Sequence, residues 1–282
     1  MLNSTKGANH NKTLIFLHLP KTAGSTLHKI IEREYKSKSI YSLDNFKTKE
    51  AVEEFKSLPE VQRSEIQVLK GHMRFGLHEY LPQPSSYITI LREPVDRVIS
   101  HYYYVLRKPN HHLYEQVKSK NMSLKDYVSS GITKELDNSQ ARLLSSIAAD
   151  IPFGECSPDV LESAKRNLEE HFAVIGLADK FDETLILLKR AFNWRTPFYI
   201  KANITKNRPL KEDISQETLD IIKNYNELDI ELFNYAKQKF EEQINQLGKS
   251  FEIEMAQLNL LNRIYTKTHP IYCRLLNKTK TD

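Results

Sequence analysis

Short apolar runs alternate along this chain with stretches in which apolar residues recur every three or four positions. Runs rich in β-branched and aromatic residues predict buried strands. They lie at 13–17, 67–70, 87–91, 172–177 and 198–200. Helical spacing predicts helices after the loop at 20–26 and at 94–104, 124–149, 158–171, 181–192 and 219–244. Strands that alternate with helices predict an α/β fold with a mainly parallel central sheet flanked by helices.

The remaining segments have weak patterns. Residues 36–64 are charged and predict one short helix and a connection. Beyond Gly248 the apolar residues lack a firm period, and we expect the last ~15 residues to be mobile. The domain organisation that follows is a flexible N-terminus at 1–12, one α/β domain at 13–247 and a C-terminal extension at 248–282.

Composition narrows the class of ligand. The chain has 282 residues, 40% of them hydrophobic, and 41 Lys and Arg against 36 Asp and Glu give a formal charge of +5. That balance favours anionic ligands, and its spread along the chain does not indicate a nucleic-acid-binding protein. Cys156 and Cys273 lie far apart, so neither a disulfide framework nor a zinc site is indicated.

The chain also lacks the patterns of targeting segments. The apolar stretch Leu14–Leu19 is interrupted by His18 and is far shorter than the ~18 apolar residues of a membrane span. No signal peptide is recognisable. We therefore expect no membrane span and a cytoplasmic location.

A strand, a tight loop and a helix carry the first chemical motif, Pro20-Lys21-Thr22-Ala23-Gly24-Ser25-Thr26. The amides and hydroxyls of such a loop can cradle a phosphosulfate, and Lys21 adds a point charge. The motif resembles a nucleotide-binding P-loop in logic, but the lysine precedes the glycine instead of following it, which disfavours a metal-dependent nucleotide triphosphatase.

Two further motifs follow two other predicted strands. Arg92 comes directly after the strand that ends at Leu91, and Ser100 lies two turns into the next helix, so both could hold a second phosphate. His72 follows the strand at 67–70 and is a candidate for taking a proton from a hydroxyl group. The chain holds ten histidines, and His18 and His78 compete with His72 for this role.

These motifs resemble those of a known enzyme family. The run HLPKTAGST resembles the 5′-phosphosulfate loop of the sulfotransferase family that includes heparan sulfate 2-O-sulfotransferase, LREPVDRVISHYYY resembles its 3′-phosphate motif, and GHMRF resembles its catalytic-histidine segment. The likeness extends from about Thr13 to Ile244 through DNSQARLLS, FAVIGLADKFDETL and NITKNRP. It implies a P-loop NTPase-like sulfotransferase fold for residues 13–247.

The resemblance implies a reaction and a set of site residues. A sulfuryl group would pass in line from 3′-phosphoadenylyl sulfate (PAPS) to a hydroxyl of an acceptor, which we expect to be a carbohydrate. Adenosine 3′,5′-bisphosphate (PAP) would be the product, and the reaction would need no metal. His72 would be the general base and Lys21 would offset charge on the leaving oxygen. The remaining cofactor contacts that the resemblance implies are Thr22, Gly24, Ser25, Thr26, Arg92, Ser100, Thr205 and Lys206.

Other interpretations remain open at this point. Asn138 and Arg142 lie four residues apart on a predicted helix and either line the acceptor cleft or form a polar surface. Arg92 could instead pair with Glu93 or Asp96. A kinase-like phosphoryl transferase that uses the Lys21 loop for ATP is one alternative function, and a non-catalytic anion- or glycan-binding protein is another.

Overall fold

The computed structural model describes residues 12–43, 48–200 and 213–278. Within these ranges five strands form one sheet in the order β2-β3-β1-β4-β5, and every neighbouring pair is parallel. The strands are β1 (Thr13–Leu17), β2 (Ile40–Leu43), β3 (Val68–Gly71), β4 (Ser85–Leu91) and β5 (Phe172–Leu177). The predicted α/β class with a parallel sheet is confirmed.

The helices cover the sheet and extend beyond it. Their bounds in the described ranges are α1 (Gly24–Glu34), α2 (Thr48–Ser57), α3 (Glu60–Ser64), α4 (Pro94–Arg107), α5 (Tyr114–Ser119), α6 (Leu124–Ser129), α7 (Ser139–Leu144), α8 (Pro158–His171), α9 (Phe181–Phe192), α10 (Gln216–Asn224), α11 (Glu227–Gln246) and α12 (Lys249–Lys278). A short 3-10 helix, Lys134–Leu136, lies between α6 and α7.

Two predicted helices are interrupted in the structure. The pattern at 124–149 is divided into α6, the 3-10 helix and α7, because Gly131 and Asn138 take positive φ angles of 64° and 45°. The pattern at 219–244 is divided into α10 and α11 next to Asn226. The side-chain amide of Asn226 donates to the carbonyls of Leu136 (2.9 Å) and Ile222 (2.8 Å), which ties the break between the helices to the 3-10 helix.

The strand prediction failed at two segments. The edge strand β2 was not predicted, because Ser42 is exposed and Ile40 and Tyr41 are only half-buried, so no apolar run marks it. The strand predicted at 198–200 is wrong. There the carbonyl of Phe198 accepts from Arg33 (2.8 Å) and the amide of Tyr199 donates to Asn262 (2.7 Å), so side chains satisfy backbone groups that a sheet would otherwise pair.

The two ends of the chain differ in what the structure describes. The predicted flexible N-terminus lies outside the described residues, except for Lys12. Beyond Gly248, where no period predicts a helix, the chain forms α12. Leu258 on this helix is fully buried, and Glu254 pairs with Lys189 and Arg190 of α9 at 2.5 and 2.7 Å. No helix within the described ranges is long and apolar enough to cross a membrane.

The centre of the sheet brings three strand ends together. β1 is buried along its whole length and lies between β3 and β4, with Leu17 beside Gly71 and Phe16 beside Ile88. The amide of His18 donates to the Gly71 carbonyl at 3.0 Å, which extends the pairing past the end of β1. Ligands of open parallel sheets bind outside the carboxyl ends of the strands where the strand order reverses, and here that point lies at β1.

Candidate functional site

The loop between β1 and α1 has an unusual backbone. Lys21 and Ala23 both take left-handed conformations, with φ angles of 69° and 68°. A residue with a Cβ atom reaches that region at a cost of about 1 kcal/mol or more, and such strain clusters at ligand-binding sites. No side chain caps the N-terminus of α1, and its first turn carries no acidic residue. No carboxylate of the first turn therefore neutralises this helix N-terminus, and the loop suits an anionic ligand.

The polar residues of this loop differ in how they face the solvent. The Thr22 side chain is buried, and its hydroxyl donates to the Leu19 carbonyl at 2.8 Å, which leaves its backbone amide as the donor available to a ligand. Ser25 is exposed and Thr26 is half-buried at the start of α1. The Thr26 amide donates to the Ala23 carbonyl at 3.2 Å, so the Ser25 amide and the hydroxyls of both residues are the groups that match the 5′-phosphosulfate loop of the resemblance.

Gly24 is required by the packing of His18. A Cβ atom added at Gly24 would lie 2.0 Å from Nε2 of His18 and 2.1 Å from its Cδ2 atom. The His18 ring cannot swing away easily, because it hydrogen-bonds His28 at 3.0 Å and stacks on His72 with ring centroids 4.3 Å apart.

We therefore expect Gly24→Ala to destabilise the protein by about 1–3 kcal/mol through overpacking. Urea unfolding monitored by circular dichroism measures this as a lower midpoint with an unchanged slope. Lys29→Ala, on the exposed face of the same helix, is the matched control and should shift stability by less than about 0.5 kcal/mol. Equal midpoints for Gly24→Ala and the control would contradict the packing argument.

His72 lies at the end of β3 with one ring nitrogen committed. Its Nδ1 atom is 2.9 Å from the His18 carbonyl oxygen, which can only accept, so Nδ1 carries the ring proton of the neutral imidazole. The Nε2 atom is then left with its lone pair, as a general base requires. The side chain is half-buried, so it is partly accessible at the strand end.

The two competing histidines are held in other environments. His18 is 9% exposed, and burial, followed by the nearby charges of His72 and His28, holds its pKa well below the ordinary range. His78 hydrogen-bonds the Tyr87 hydroxyl at 3.1 Å and packs against His171. Tyr87 lies four residues before the carboxyl end of β4. Of the three candidates, His72 has the placement that the general-base hypothesis requires.

Arg92 and Lys21, which follow two different strands, meet in the structure. The Arg92 guanidinium donates to the Lys21 carbonyl at 3.0 Å. Gln140 holds the Arg92 backbone at both ends, accepting from its amide at 3.0 Å and donating to its carbonyl at 2.9 Å. Asp229 in turn accepts from the amides of Gln140 and Ala141 at 3.1 and 2.7 Å. The two motifs are therefore in direct contact.

The Lys21 ammonium lies against an aromatic ring and near two arginines. Its Nζ atom lies 3.9 Å from the centre of the Tyr104 ring, one turn beyond Ser100 on α4. Burial, then the charges of Arg92 and Arg107, lowers the pKa of Lys21 to about 8. Ser100 is 9% exposed on the same helix. A cation whose charge is disfavoured in this way gains stability when an anion arrives.

Asn138 and Arg142 do not face a cleft. Arg142 is 2% exposed, pairs with the Asp137 carboxylate, and donates to the carbonyls of Ile151 (2.8 Å) and Pro152 (2.6 Å). Asn138 is 6% exposed and accepts from the Asp229 amide at 3.1 Å. Both side chains hold the segment around α7 in place, and this geometry favours a structural role over the predicted acceptor contact. Thr205 and Lys206 lie outside the described residues.

A carboxylate that the motifs did not reveal also belongs to this region. Glu135, about one-third exposed, accepts from His101 at 2.8 Å, and His101 also hydrogen-bonds the Tyr127 hydroxyl at 3.0 Å. Burial opposes ionisation of Glu135, but the charges of His101, Arg97 and His72 outweigh it and lower the pKa to about 2. Nothing in the local sequence distinguishes Glu135 from a surface residue, because its partners come from α4 and α6.

Comparisons with known proteins place the chain among carbohydrate sulfotransferases. Residues 3–268 match the model of the galactose-3-O-sulfotransferase family. Human heparan-sulfate 6-O-sulfotransferase 1 is 29% identical over 188 residues, which cover 57% of this chain and 44% of that protein. Mouse galactose-3-O-sulfotransferase 2 is 24% identical over 254 residues, 82% of this chain and 62% of that protein. The chain thus spans about half the length of the curated relatives it matches.

One solved structure resembles the chain more distantly. Mouse sulfotransferase SULT7A1, complexed with PAP, has a TM-score of 0.40 and 12% sequence identity, over 88% of this chain and 89% of that one. No residue correspondence follows at that level of similarity.

Proposed function

The chain belongs to the galactose-3-O-sulfotransferase family, and from that premise we propose that it transfers a sulfuryl group from PAPS to a hydroxyl group of a carbohydrate. The observation that carries the proposal is the meeting of the two anion motifs, in which the Arg92 guanidinium lies 3.0 Å from the Lys21 carbonyl. The proposal of a glycan acceptor is supported by the relatives, whose names refer to heparan sulfate and galactose.

The residues of the two motifs suit the donor. A 5′-phosphosulfate needs several hydrogen-bond donors and a cation. The amides of Gly24 and Ser25 at an uncapped helix N-terminus, with the hydroxyls of Ser25 and Thr26, follow Lys21 in the same loop. A 3′-phosphate needs a second cation, and Arg92 with Ser100 would supply a guanidinium and a hydroxyl. PAPS supplies an activated sulfuryl group bonded to a phosphate oxygen.

His72 and Lys21 would divide the chemistry between them. His72 takes the proton of the acceptor hydroxyl at Nε2 as the new oxygen–sulfur bond forms. Lys21 offsets the negative charge that develops on the bridging phosphate oxygen as the old sulfur–oxygen bond breaks in line with the new one. The Glu135 carboxylate, one of the charged groups near His72, would stabilise the imidazolium that results.

The test of this function uses the full chain with labelled PAPS and a panel of desulfated heparan and galactose-terminated glycans. We expect label to appear on one class of glycan and PAP to accumulate in equal amount. Calorimetry in chelator-treated buffer should show PAP binding. Binding of ATP that requires Mg²⁺, without binding of PAP, would support the phosphoryl-transferase alternative instead, and PAP binding without transfer to any glycan would support a non-catalytic binding protein.

The pH dependence of PAP binding provides a prediction about Lys21. In the free protein Lys21 loses its proton above its pKa of about 8, whereas a bound phosphate raises that pKa. Affinity should therefore be constant between about pH 7 and pH 8, where both forms are protonated and the phosphates are ionised. It should fall by up to about tenfold per pH unit above that, because binding must then take up a proton.

Calorimetry in two buffers of different ionisation enthalpy measures this proton uptake directly. Lys21→Met should remove the uptake and flatten the profile, whereas Lys29→Met, which alters an exposed lysine of α1, should leave both unchanged. A flat profile for the unaltered chain through pH 9 would contradict the assignment of Lys21 to the phosphosulfate loop.

A further inference from the structure

A chain of hydrogen-bonded side chains links Glu32 of α1 to His18, and His18 contacts His72. The Lys70 ammonium lies 3.0 Å from Oε1 of Glu32 and 3.1 Å from Nδ1 of His28. Nε2 of His28 lies 3.0 Å from Nδ1 of His18. The His18 ring then stacks on the His72 ring with centroids 4.3 Å apart and planes 23° from parallel.

The burial of this chain makes its hydrogen bonds costly to lose. Lys70 is 3% exposed and His18 is 9% exposed, so a substitution that removes one of these hydrogen bonds leaves a buried polar atom without that partner. Only the carboxylate at the far end, on Glu32, is about half exposed, with 54% of its side chain accessible. The chain therefore runs from the surface of α1 to the strand end that carries His72.

The donors and acceptors in the chain can be arranged in one direction only. An ammonium group has donors and no acceptor, so Nδ1 of His28 must accept from Lys70. His28 then carries its proton on Nε2 and donates it to Nδ1 of His18. His18 must in turn carry its own proton on Nε2, against Gly24. Both histidines are thus neutral, with their tautomers set by Lys70.

His18 contacts His72 in two ways, and of these the ring stacking depends on the tautomer and charge of His18, whereas the bond to its backbone carbonyl does not. Its carbonyl accepts from Nδ1 of His72 at 2.9 Å, and its neutral ring supports the His72 ring from one side. If His18 were charged, the proton that His72 accepts during transfer would place two positive rings in contact. The charged groups around the pair are Lys70, the ammonium of Lys21 and the carboxylate of Glu135.

We propose that Lys70 and His28 are positioning residues for His72: they hold His18 as the neutral Nε2–H tautomer, and His18 orients the Nε2 atom of His72 toward the acceptor hydroxyl. The effect on turnover rests on the proposed function. The tautomers are a property of the free protein and can be measured without any substrate.

Long-range proton–nitrogen spectra of the imidazole rings in the full chain test the tautomers. We expect His18 and His28 as Nε2–H tautomers and His72 as the Nδ1–H tautomer. His28→Leu removes the donor to His18 and should let His18 change tautomer or take up a proton in mildly acidic buffer. In His28→Gln the amide oxygen can accept from Lys70 and the amide nitrogen can donate to His18, so this variant should keep the wild-type spectrum of His18.

Turnover across pH distinguishes positioning from packing. We expect His28→Leu to lower kcat about tenfold to a hundredfold, most strongly on the acidic side of the profile, with the Kd for PAP within about twofold. His28→Gln should stay within about threefold of wild type, although it packs no better than leucine. Lys70→Met is the second variant that breaks the chain, and Lys29→Met is its exposed control.

Several outcomes would overturn the proposal. His18 observed as the Nδ1–H tautomer, or equal activity and pH profiles for His28→Leu and His28→Gln, would remove the directional chain as the cause. A wild-type protein with the expected tautomers but no transfer from PAPS to any glycan would refute the proposed function, while the hydrogen-bond chain itself would stand.

Discussion

Replacing His72 with alanine should lower kcat for sulfuryl transfer by a factor of about a hundred to ten thousand. A positioned general base contributes about that much, and the alanine variant must leave the acceptor proton to water. The Kd for PAP should change little, because the donor contacts come from the β1–α1 loop and from α4. Single-turnover assays with saturating PAPS measure the chemical step, and calorimetry measures the affinity.

His78→Gln is the matched control for this variant, because His78 was an alternative candidate for the general base on sequence grounds. His78 contacts Tyr87 and His171, so its loss should leave the rate within about twofold if the variant folds. Undiminished transfer in His72→Ala, or an equal loss in His78→Gln with folding intact, would refute the assignment of the base.

Replacing Lys21 with alanine should reduce both catalysis and donor binding. We expect kcat to fall about a hundredfold to a thousandfold, the range for loss of one preorganised charge at a developing oxyanion, and PAP to bind about tenfold more weakly or worse. Lys21 lies in the loop that leads into the uncapped start of α1, and its charge is already disfavoured by burial and then by Arg92 and Arg107, so a bound phosphate would stabilise it.

Steady-state kinetics over a range of PAPS concentrations, with calorimetry for PAP, measure the two effects of Lys21→Ala. Lys29→Ala is the control of equal charge change on the exposed face of α1 and should alter neither quantity by more than about twofold. If both variants behaved alike, Lys21 would contribute only to net charge, and the phosphosulfate loop would have to be sought elsewhere.

The parts of the site that could be predicted from the sequence are those carried by local pattern. Lys21, His72 and Arg92 each follow a short apolar run, and the carboxyl ends of parallel strands meet at one edge of a sheet. The hydrogen bonds that join Gln140 to Arg92 and Asp229 to Gln140 could not be predicted, because residues 92, 140 and 229 are far apart in sequence. The nearest indication was the run DNSQARLLS, which carries no spacing rule for a contact with Arg92.

For several polar residues, the sequence pattern did not indicate the environment that the fold provides. Asn138 and Arg142 suited a polar surface or a cleft equally well by spacing, and only the fold shows that both are enclosed and paired within the protein. Glu135 and His101 were unremarkable in sequence but are hydrogen-bonded to each other, and Glu135 lies near His72 and Lys21. The helix predicted at 124–149 also included the left-handed residues Gly131 and Asn138. Apolar periodicity indicates which side of a helix is buried, but it does not show where the helical backbone is interrupted.

The sequence alone determined the α/β class, the strand–loop–helix unit at Lys21 and the chemistry available at three strand ends, because these depend on residue type and on periods of two and 3.6 residues. Tertiary structure decided which of three histidines lies at a strand end with Nδ1 bonded to a backbone carbonyl, which contacts join Lys70, His28 and His18, and the burial that lowers the pKa of Lys21. Those properties depend on distances between residues that are remote in the chain, and on the solvent removed when they pack together.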